Sequence, residues 1–587
     1  MAAVTAAKFR AAALLWLAAA VPHACRPAPP VPAGLRFEVS FPPWLRAAPV
    51  DGRLLLILST EGRQEPRFEV GGNGPGWQVF GVDVESLAPG RSAVIDASAA
   101  GFPRESLAVL PAGDYTVEAL LDVYDTFRRG DGKVVKLHAD HGEGQEWKIS
   151  PGNLLSLPRR VSLRAGESLV VRVVLSREIP PLDPPADTPF VRHVHLRSEL
   201  LSRFWGRPVE LGAVVLLPEG FDEHSEARYP VVYFHGHYLA TLPSFVGFRE
   251  TPPPFPGGDE ESFAAAGAAR HRRWVAGRMP RLLVVYPQHP NPYYDDSYAV
   301  NSENLGPYGD AIARELVPYV ERRFRAIGAP WARALYGSST GGWAALAQQI
   351  FYPDVYNGVW ANCPDPVDFR AFQTTDLYHD ANAYWTEGPR GPHGPHGPIA
   401  RPDSRDLEGR VQMTVEELNR LERVLGTHGR SGGQFDAWQA VWSPVGEDGY
   451  PQAIYDKRTG VVDHRVAARW RESYDLTYVL ARDWPALGPR LQGKIHVKVG
   501  DLDTFYLDRA VRLLDRFLAA TRRPGHGPWY AGSVEFGAGQ PHCWTGDDSG
   551  ALVSADHLSI NQRFLPVIAR HLLATAPPGA DVTSWRY

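Results

Sequence analysis

The chain predicts an α/β fold on a mostly parallel sheet, preceded by an all-β, sandwich-like domain. Three observations carry that expectation. From Leu35 to Leu175 the apolar runs are short, often alternating, and separated by Gly, Pro and Asp turns. From Phe190 onward, continuous apolar runs of strand length alternate with amphipathic helical segments, the pattern of a parallel sheet covered on both faces. Between them, Arg177 to Pro189 reads REIPPLDPPADTP, a Pro-rich acidic stretch suited to a semi-rigid linker.

Bulk composition agrees with a folded, multidomain chain. Its 587 residues exceed what one hydrophobic core organises, and 44% hydrophobic with 22% charged residues marks globular protein. Lys plus Arg (61) nearly balances Asp plus Glu (66), and a net charge of -5 leaves no electrostatic footprint for nucleic acid. Residues 1–24 place Lys8 and Arg10 before an apolar run from Ala11 to Val21, the pattern of a secretion signal and too short for a membrane span. Export to the periplasm or medium is therefore expected. Residues 25–34 form a Pro-rich linker. Cleavage just before Cys25 would free that residue for lipidation and a membrane-anchored form, although Pro22 and His23 fit a lipoprotein cleavage box badly. Cys363 and Cys543 are either a disulfide, in an oxidising compartment, or two buried thiols.

Residues 35–176 make the sandwich-like domain. Its strands read RLLLILS, WQVFGVDV, YTVEALLDVY, KVVKLHA and SLVVRVVL, with the turn Arg129-Gly130-Asp131-Gly132 joining two of them. His138 and His141 flank Asp140 but read as solvated turn residues rather than metal ligands.

The α/β domain spans residues 190–575, with a tail at 576–587. VRHVHLRSELLSRFWGRPVELGAVVLLPEGF supplies two extended runs around a turn. YPVVYFHGHY and RLLVVYPQ are buried strands, and GDAIARELVPYVERRF is an amphipathic helix. YNGVWANCP is another strand. Regularity then breaks down over about 368–487, which reads as an insertion folded over the sheet, with a Trp-rich run (DAWQAVWSP) and a Gly-Pro-His tract. His393 and His396 in that tract lack a carboxylate at ligand spacing and read as loop. KIHVKVG, DRAVRLLDRFLAAT, SVEFGAGQPHCW and NQRFLPVIARHLLAT complete the strands and helices.

Ser339 stands out among the polar residues. It lies in ARALYGSSTGGWAALAQQIFY, between an apolar strand and an apolar helix, with small residues that suit a sharp strand-to-helix turn. A serine there stands at a helix N-terminus, where peptide dipoles favour developing negative charge. Ser431, in GRSGG, satisfies the same GxSxG pattern but follows a charged helical segment and reads as loop. A serine hydroxyl needs a histidine base and a carboxylate that orients it. His542 follows the strand SVEFG and Asp503 follows KIHVKVG, each at the strand end where Ser339 emerges; Asp501 is the main rival carboxylate and Asp508 a distant one. An oxyanion hole would use the backbone N–H of Thr340 and that of His237 or Tyr238 in the loop after YPVVYFHG. His235 reads as structural.

These motifs resemble the esterase family of the α/β-hydrolase superfamily, which includes feruloyl esterases, S-formylglutathione hydrolase, enterochelin esterases and mycolyltransferases. The resemblance runs through YPVVYFHGHY, YGDAIARELVPYVERRF, GSSTGGWAALAQQIFYPDVYNGV, VGDLD and PHCW, over roughly Phe190 to Leu573 outside the insertion. It implies a Ser339, Asp503, His542 triad, in the chain order of that superfamily, acting through an acyl-enzyme with no metal or organic cofactor. HGHY departs from the family's small residues after His-Gly. Cys363 and Cys543 would both approach such a site, where a disulfide would fix the histidine loop. The expected substrate is a small-molecule or polysaccharide-linked ester, aromatic or carbohydrate. A siderophore esterase, an acyltransferase and a non-catalytic carbohydrate-binding protein are the alternatives.

Overall fold

The computed structural model describes residues 34–587 apart from positions 63, 72–75, 165–167, 238–247, 249, 251–258, 389, 392–393, 396, 523–526, 528 and 547–562. The secretion-signal stretch, Cys25, Tyr238, His393 and His396 lie outside the described residues. Among the described residues no helix is long and apolar enough to cross a membrane.

The N-terminal strands join in one connected ten-stranded sheet. Three long strands, Val50–Ser59, Trp77–Leu87 and Gly113–Arg128, pair antiparallel at its centre, with Leu54 opposite Val82 and Leu121. Side-chain alternation sorts their residues onto two faces. Leu54, Leu56 and Leu58 share a core with Phe37 and Val39 of Arg36–Ser40 and with Val171 and Val173 of Val170–Glu178. Leu55 and Ile57 point the other way and meet Leu421 and Val424 of a helix from the insertion. Arg53 Nε donates to the Val424 carbonyl at 2.9 Å. Gly81 is required at this seam, because a Cβ there would stand 2.1 Å from the same carbonyl oxygen.

The hairpin of Gly113–Arg128 with Val134–His138 reaches further, placing Phe127, Val135 and Leu137 in the core of the second sheet. The N-terminal strands are thus packed on the rest of the chain as well as tethered to it by the Pro-rich segment. Here the structure corrects one expectation. His138 is no solvated turn residue: it ends its strand at 5% exposure, with Nδ1 2.9 Å from Asp122 Oδ1 and Nε2 2.8 Å from Glu143 Oε1. Burial alone would lower its pKa, but those two carboxylates outweigh it and push the ring up to about 10. His141 is exposed.

The second sheet has eight strands. Their order is Val191–Arg197, Glu210–Leu216, Leu283–Gln288, Val231–His235, Arg333–Ser338, Val359–Asn362, Ile495–Gly500 and Ser533–Gly537. The first two pairings are antiparallel, and those from Leu283–Gln288 onward are parallel. Between the first two strands the chain makes a helix, Glu199–Trp205, where the sequence suggested only a turn. Ser198 Oγ caps it by accepting from Leu201 N, and Gly206 closes it at φ 66°.

The insertion is more regular than its composition suggested, with helices Val415–Leu425, Gln434–Trp442, His464–Tyr474 and Leu476–Leu491. Four of its tryptophans are core residues, Trp484 among them, while Trp385 is exposed. Trp438, Trp442 and Trp470 are 3%, 1% and 0% exposed, and Trp442 packs 5.1 Å from Trp343, which lies on the helix following Ser339.

Candidate active site

Strand Arg333–Ser338 ends one residue before Ser339, and helix Thr340–Phe351 begins one residue after it. Ser339 itself sits at φ 56°, ψ −126°, outside the regions an L-residue prefers. Holding it there costs roughly 1–3 kcal/mol of backbone strain that the surrounding packing must offset. The glycines explain how the turn closes. A Cβ on Gly337 would lie 2.0 Å from Gly341 O, one on Gly341 2.1 Å from His235 O, and one on Gly342 2.6 Å from Asn362 O. Since the obstacles are backbone atoms of the turn itself and of both neighbouring strands, no side chain can be accommodated by a rotamer change.

Three residues from distant parts of the chain meet at this turn. His542 Nε2 lies 3.0 Å from Ser339 Oγ, and His542 Nδ1 lies 2.8 Å from Asp503 Oδ2. Asp503 is fully buried; its Oδ1 accepts from the backbone N–H of Phe505 at 2.9 Å and of Leu507 at 3.2 Å. Arg405 of the insertion donates to the Asp503 carbonyl at 3.1 Å. The Phe505 ring stands edge-on to the imidazole, centroids 4.9 Å apart. The carboxylate is therefore held on one oxygen by its own loop while the other faces the histidine. Asp501 does not compete for this position: its Oδ1 accepts from Gly539 N. Asp508 pairs with Arg512 and Arg405. Ser431 lies in the insertion, where its Oγ accepts from Gly433 N at 3.1 Å.

Cys363 and Cys543 are joined as a disulfide. The bond ties the residue after His542 to the end of strand Val359–Asn362, next to the strand that carries Ser339. Both cysteines have positive φ, 37° and 59°.

On the other side of the turn, His235 is buried, and desolvation pulls its pKa down to about 3, so the ring is neutral. His237 lies two residues further on. Its Nδ1 lies 3.0 and 3.2 Å from the Asp295 oxygens and 3.7 Å from Asp296 Oδ2. Tyr286 OH donates to the His237 carbonyl.

One buried carboxylate at the site carries no sequence motif. Asp365 Oδ2 accepts from Tyr298 OH at 2.6 Å, Trp438 Nε1 at 3.1 Å and Thr340 Oγ1 at 3.2 Å. Burial raises its pKa. It joins the helix after Ser339 to the insertion helix Gln434–Trp442, and only the position of Asp365 just after the YNGVWANCP strand hinted at it.

A family model described as "Putative esterase" matches residues 208–524, more than half of the chain. No curated protein matches. Solved structures similar to the chain include a ferulic acid esterase (16% identity, 65% of this chain and 98% of that one, TM-score 0.36). Another is an S-formylglutathione hydrolase from Agrobacterium tumefaciens (13%, 66% and 97%, TM-score 0.32). A third is a fluorophosphonate-binding serine hydrolase of Staphylococcus aureus (14%, 65% and 98%, TM-score 0.29). The family match supports carboxylic-ester hydrolysis and, by its extent, places the chain: this protein belongs to the esterase family.

Proposed function

We propose that the protein is an exported serine carboxylic-ester hydrolase in which Ser339, His542 and Asp503 act as a triad. The observation that carries this reading is the unbroken chain of contacts from Asp503 Oδ2 through His542 to Ser339 Oγ, at 2.8 and 3.0 Å. In the reaction, Ser339 Oγ attacks the ester carbonyl carbon while His542 Nε2 takes its proton, and the carbonyl π pair moves onto the oxygen. Collapse of that intermediate expels the alcohol, which His542 protonates, leaving an acyl-serine. Water, deprotonated by the same nitrogen, then attacks the acyl carbon and frees Ser339. Asp503 holds the Nδ1–H tautomer and stabilises the imidazolium.

The oxyanion would be met by the backbone N–H of Thr340 and one from His237 or Tyr238. The disulfide Cys363–Cys543 would anchor the histidine loop, in keeping with an oxidising compartment and with the secretion-signal pattern at residues 1–24. The proposal is for a carboxylic ester as such: Trp438 and Trp442 of the Trp-rich run that pointed to aromatic or carbohydrate esters are core residues.

The test is labelling with a fluorophosphonate probe alongside turnover of p-nitrophenyl acetate. Wild type labels at one serine, Ser339→Ala abolishes labelling and turnover, and His542→Ala removes nearly all of both. Labelling that survives Ser339→Ala would overturn the assignment. Product analysis with an added alcohol separates a hydrolase from an acyltransferase.

A further inference from the structure

Two loops meet beside the candidate active site, and their meeting point is chemically unbalanced. His237 lies two residues beyond strand Val231–His235, and Asp295 and Asp296 lie in the loop after the adjacent parallel strand Leu283–Gln288. Asp295 and Asp296 are 7% and 2% exposed. A third carboxylate, Asp365 at 4% exposure, is close enough to interact electrostatically with His237. Asp365 Oδ2 accepts from Tyr298, Trp438 and Thr340. In Asp296, Oδ1 accepts from Tyr298 N at 2.7 Å, but Oδ2 is buried without any hydrogen-bond donor. That oxygen is 3.7 Å from His237 Nδ1, and the Nδ1, one Asp295 oxygen and one Asp296 oxygen all lie within 4.8 Å of one another.

We propose that His237, Asp295 and Asp296 form a binding site for a divalent first-row transition-metal ion such as Zn²⁺. One N–H on Nδ1 can satisfy only one of the carboxylate oxygens around it, whereas a metal at the centre satisfies all three donors at once. Ions bonded at about 2.0–2.2 Å to nitrogen and oxygen put neighbouring donors roughly 3.0–3.7 Å apart, and the Nδ1-to-oxygen distances here are 3.0, 3.2 and 3.7 Å. The imidazole in the set selects against Ca²⁺ and Mg²⁺, which prefer all-oxygen shells. The His237 side chain is 24% exposed, leaving a face open for water to complete the coordination. Bound there, the ion would clip together two loops at the ends of neighbouring strands, one of which carries the second proposed oxyanion donor. Among the described residues the other cluster of this kind, Cys363, Cys543 and His542, is no rival, because its sulfurs are paired with each other.

The site is tested on the purified full chain independently of ester hydrolysis. After treatment with a chelator and gel filtration, Zn²⁺, Mn²⁺ and Ca²⁺ are titrated separately, read by calorimetry, melting temperature and elemental analysis. The expected result is about one Zn²⁺ per chain, weaker binding of Mn²⁺ following the general order of metal affinities, and no response to Ca²⁺. Asp296→Asn keeps the oxygen that accepts from Tyr298 N and should weaken Zn²⁺ by at least about tenfold, since even residues behind a ligand cost that much. Wild-type melting with and without Zn²⁺ remains informative should the variant fold poorly. No Zn²⁺ uptake by wild type, with the two aspartates sharing a proton instead, would overturn the proposal; so would unaltered Zn²⁺ affinity in a folded Asp296→Asn chain.

Discussion

Replacing Asp503 by Asn tests the proposed triad with little disturbance of the fold. Asp503 spends one oxygen on the N–H groups of Phe505 and Leu507 and the other on His542 Nδ1. An asparagine must keep its carbonyl oxygen on the two backbone donors, because turning the amide round would set an NH₂ against two N–H groups in a fully buried site. Its NH₂ then faces His542 Nδ1, which becomes an acceptor, and the ring proton moves to Nε2. There it points at Ser339 Oγ, 3.0 Å away, and the imidazole can no longer take the serine proton. In the serine-protease template that tautomer switch costs about 10⁴ in kcat, equivalent to about 5.5 kcal/mol of barrier. Asp503→Asn should therefore lower kcat for p-nitrophenyl acetate by about 10³–10⁴ and leave KM within a few fold. Its melting temperature should stay near wild type, since the change also removes a buried charge. The assay is steady-state kinetics with active-site titration by the fluorophosphonate. Activity within tenfold of wild type, or an equal loss in Asp501→Asn, would refute the argument.

Three further outcomes follow from the same geometry. Gly341→Ala should prevent stable folding or cost more than about 3 kcal/mol, read by urea unfolding, because its Cβ would lie 2.1 Å from the His235 carbonyl oxygen and backbone cannot step aside. Replacing Cys363 and Cys543 by Ala opens a loop with a sequence separation of 180 residues; chain entropy puts the loss at up to about 5 kcal/mol. Activity should fall with it as the His542 loop is released, and an unchanged melting temperature would contradict this. The buried His138 makes the N-terminal strands sensitive to alkali. With a folded pKa raised to about 10 against an ordinary 6.5, its contribution is full below pH 6.5 and is lost as pH rises toward 10. That contribution is on the order of a few kcal/mol, and unfolding midpoints of wild type and His138→Phe should converge above pH 10, whereas parallel pH profiles would rule the effect out.

Much of the candidate site was legible before any coordinates. The glycines around Ser339, and the placement of Asp503 and His542 just past apolar strand-like runs, are local features, and a parallel sheet brings its strand ends to one edge. Ser431 shows why the flanks mattered: the same five-residue pattern, set in a different context, became a loop at the start of a helix. Asp365 and the His237–Asp295–Asp296 cluster had no such signal. The residues that meet there come from three loops and two helices, and no spacing within one segment reports that they meet. His138 was misread for a related reason, since its burial depends on Asp122 from a neighbouring strand and Glu143 from a folded-back loop.

By itself the sequence determined where the strands of the second sheet lie, which serine stands at a strand-to-helix turn, and the order of its partners, because periodicity, glycine placement and strand ends are written in adjacent residues. Only the tertiary structure decided that the tryptophans of the run DAWQAVWSP are core residues, that Cys363 and Cys543 pair, and that the N-terminal strands pack on the insertion helix through Gly81 and Arg53. Each of those depends on which distant surfaces come into contact, and the hydrophobic effect that drives the contact is non-directional, so the partners are selected by shape and are not encoded in any one stretch of chain.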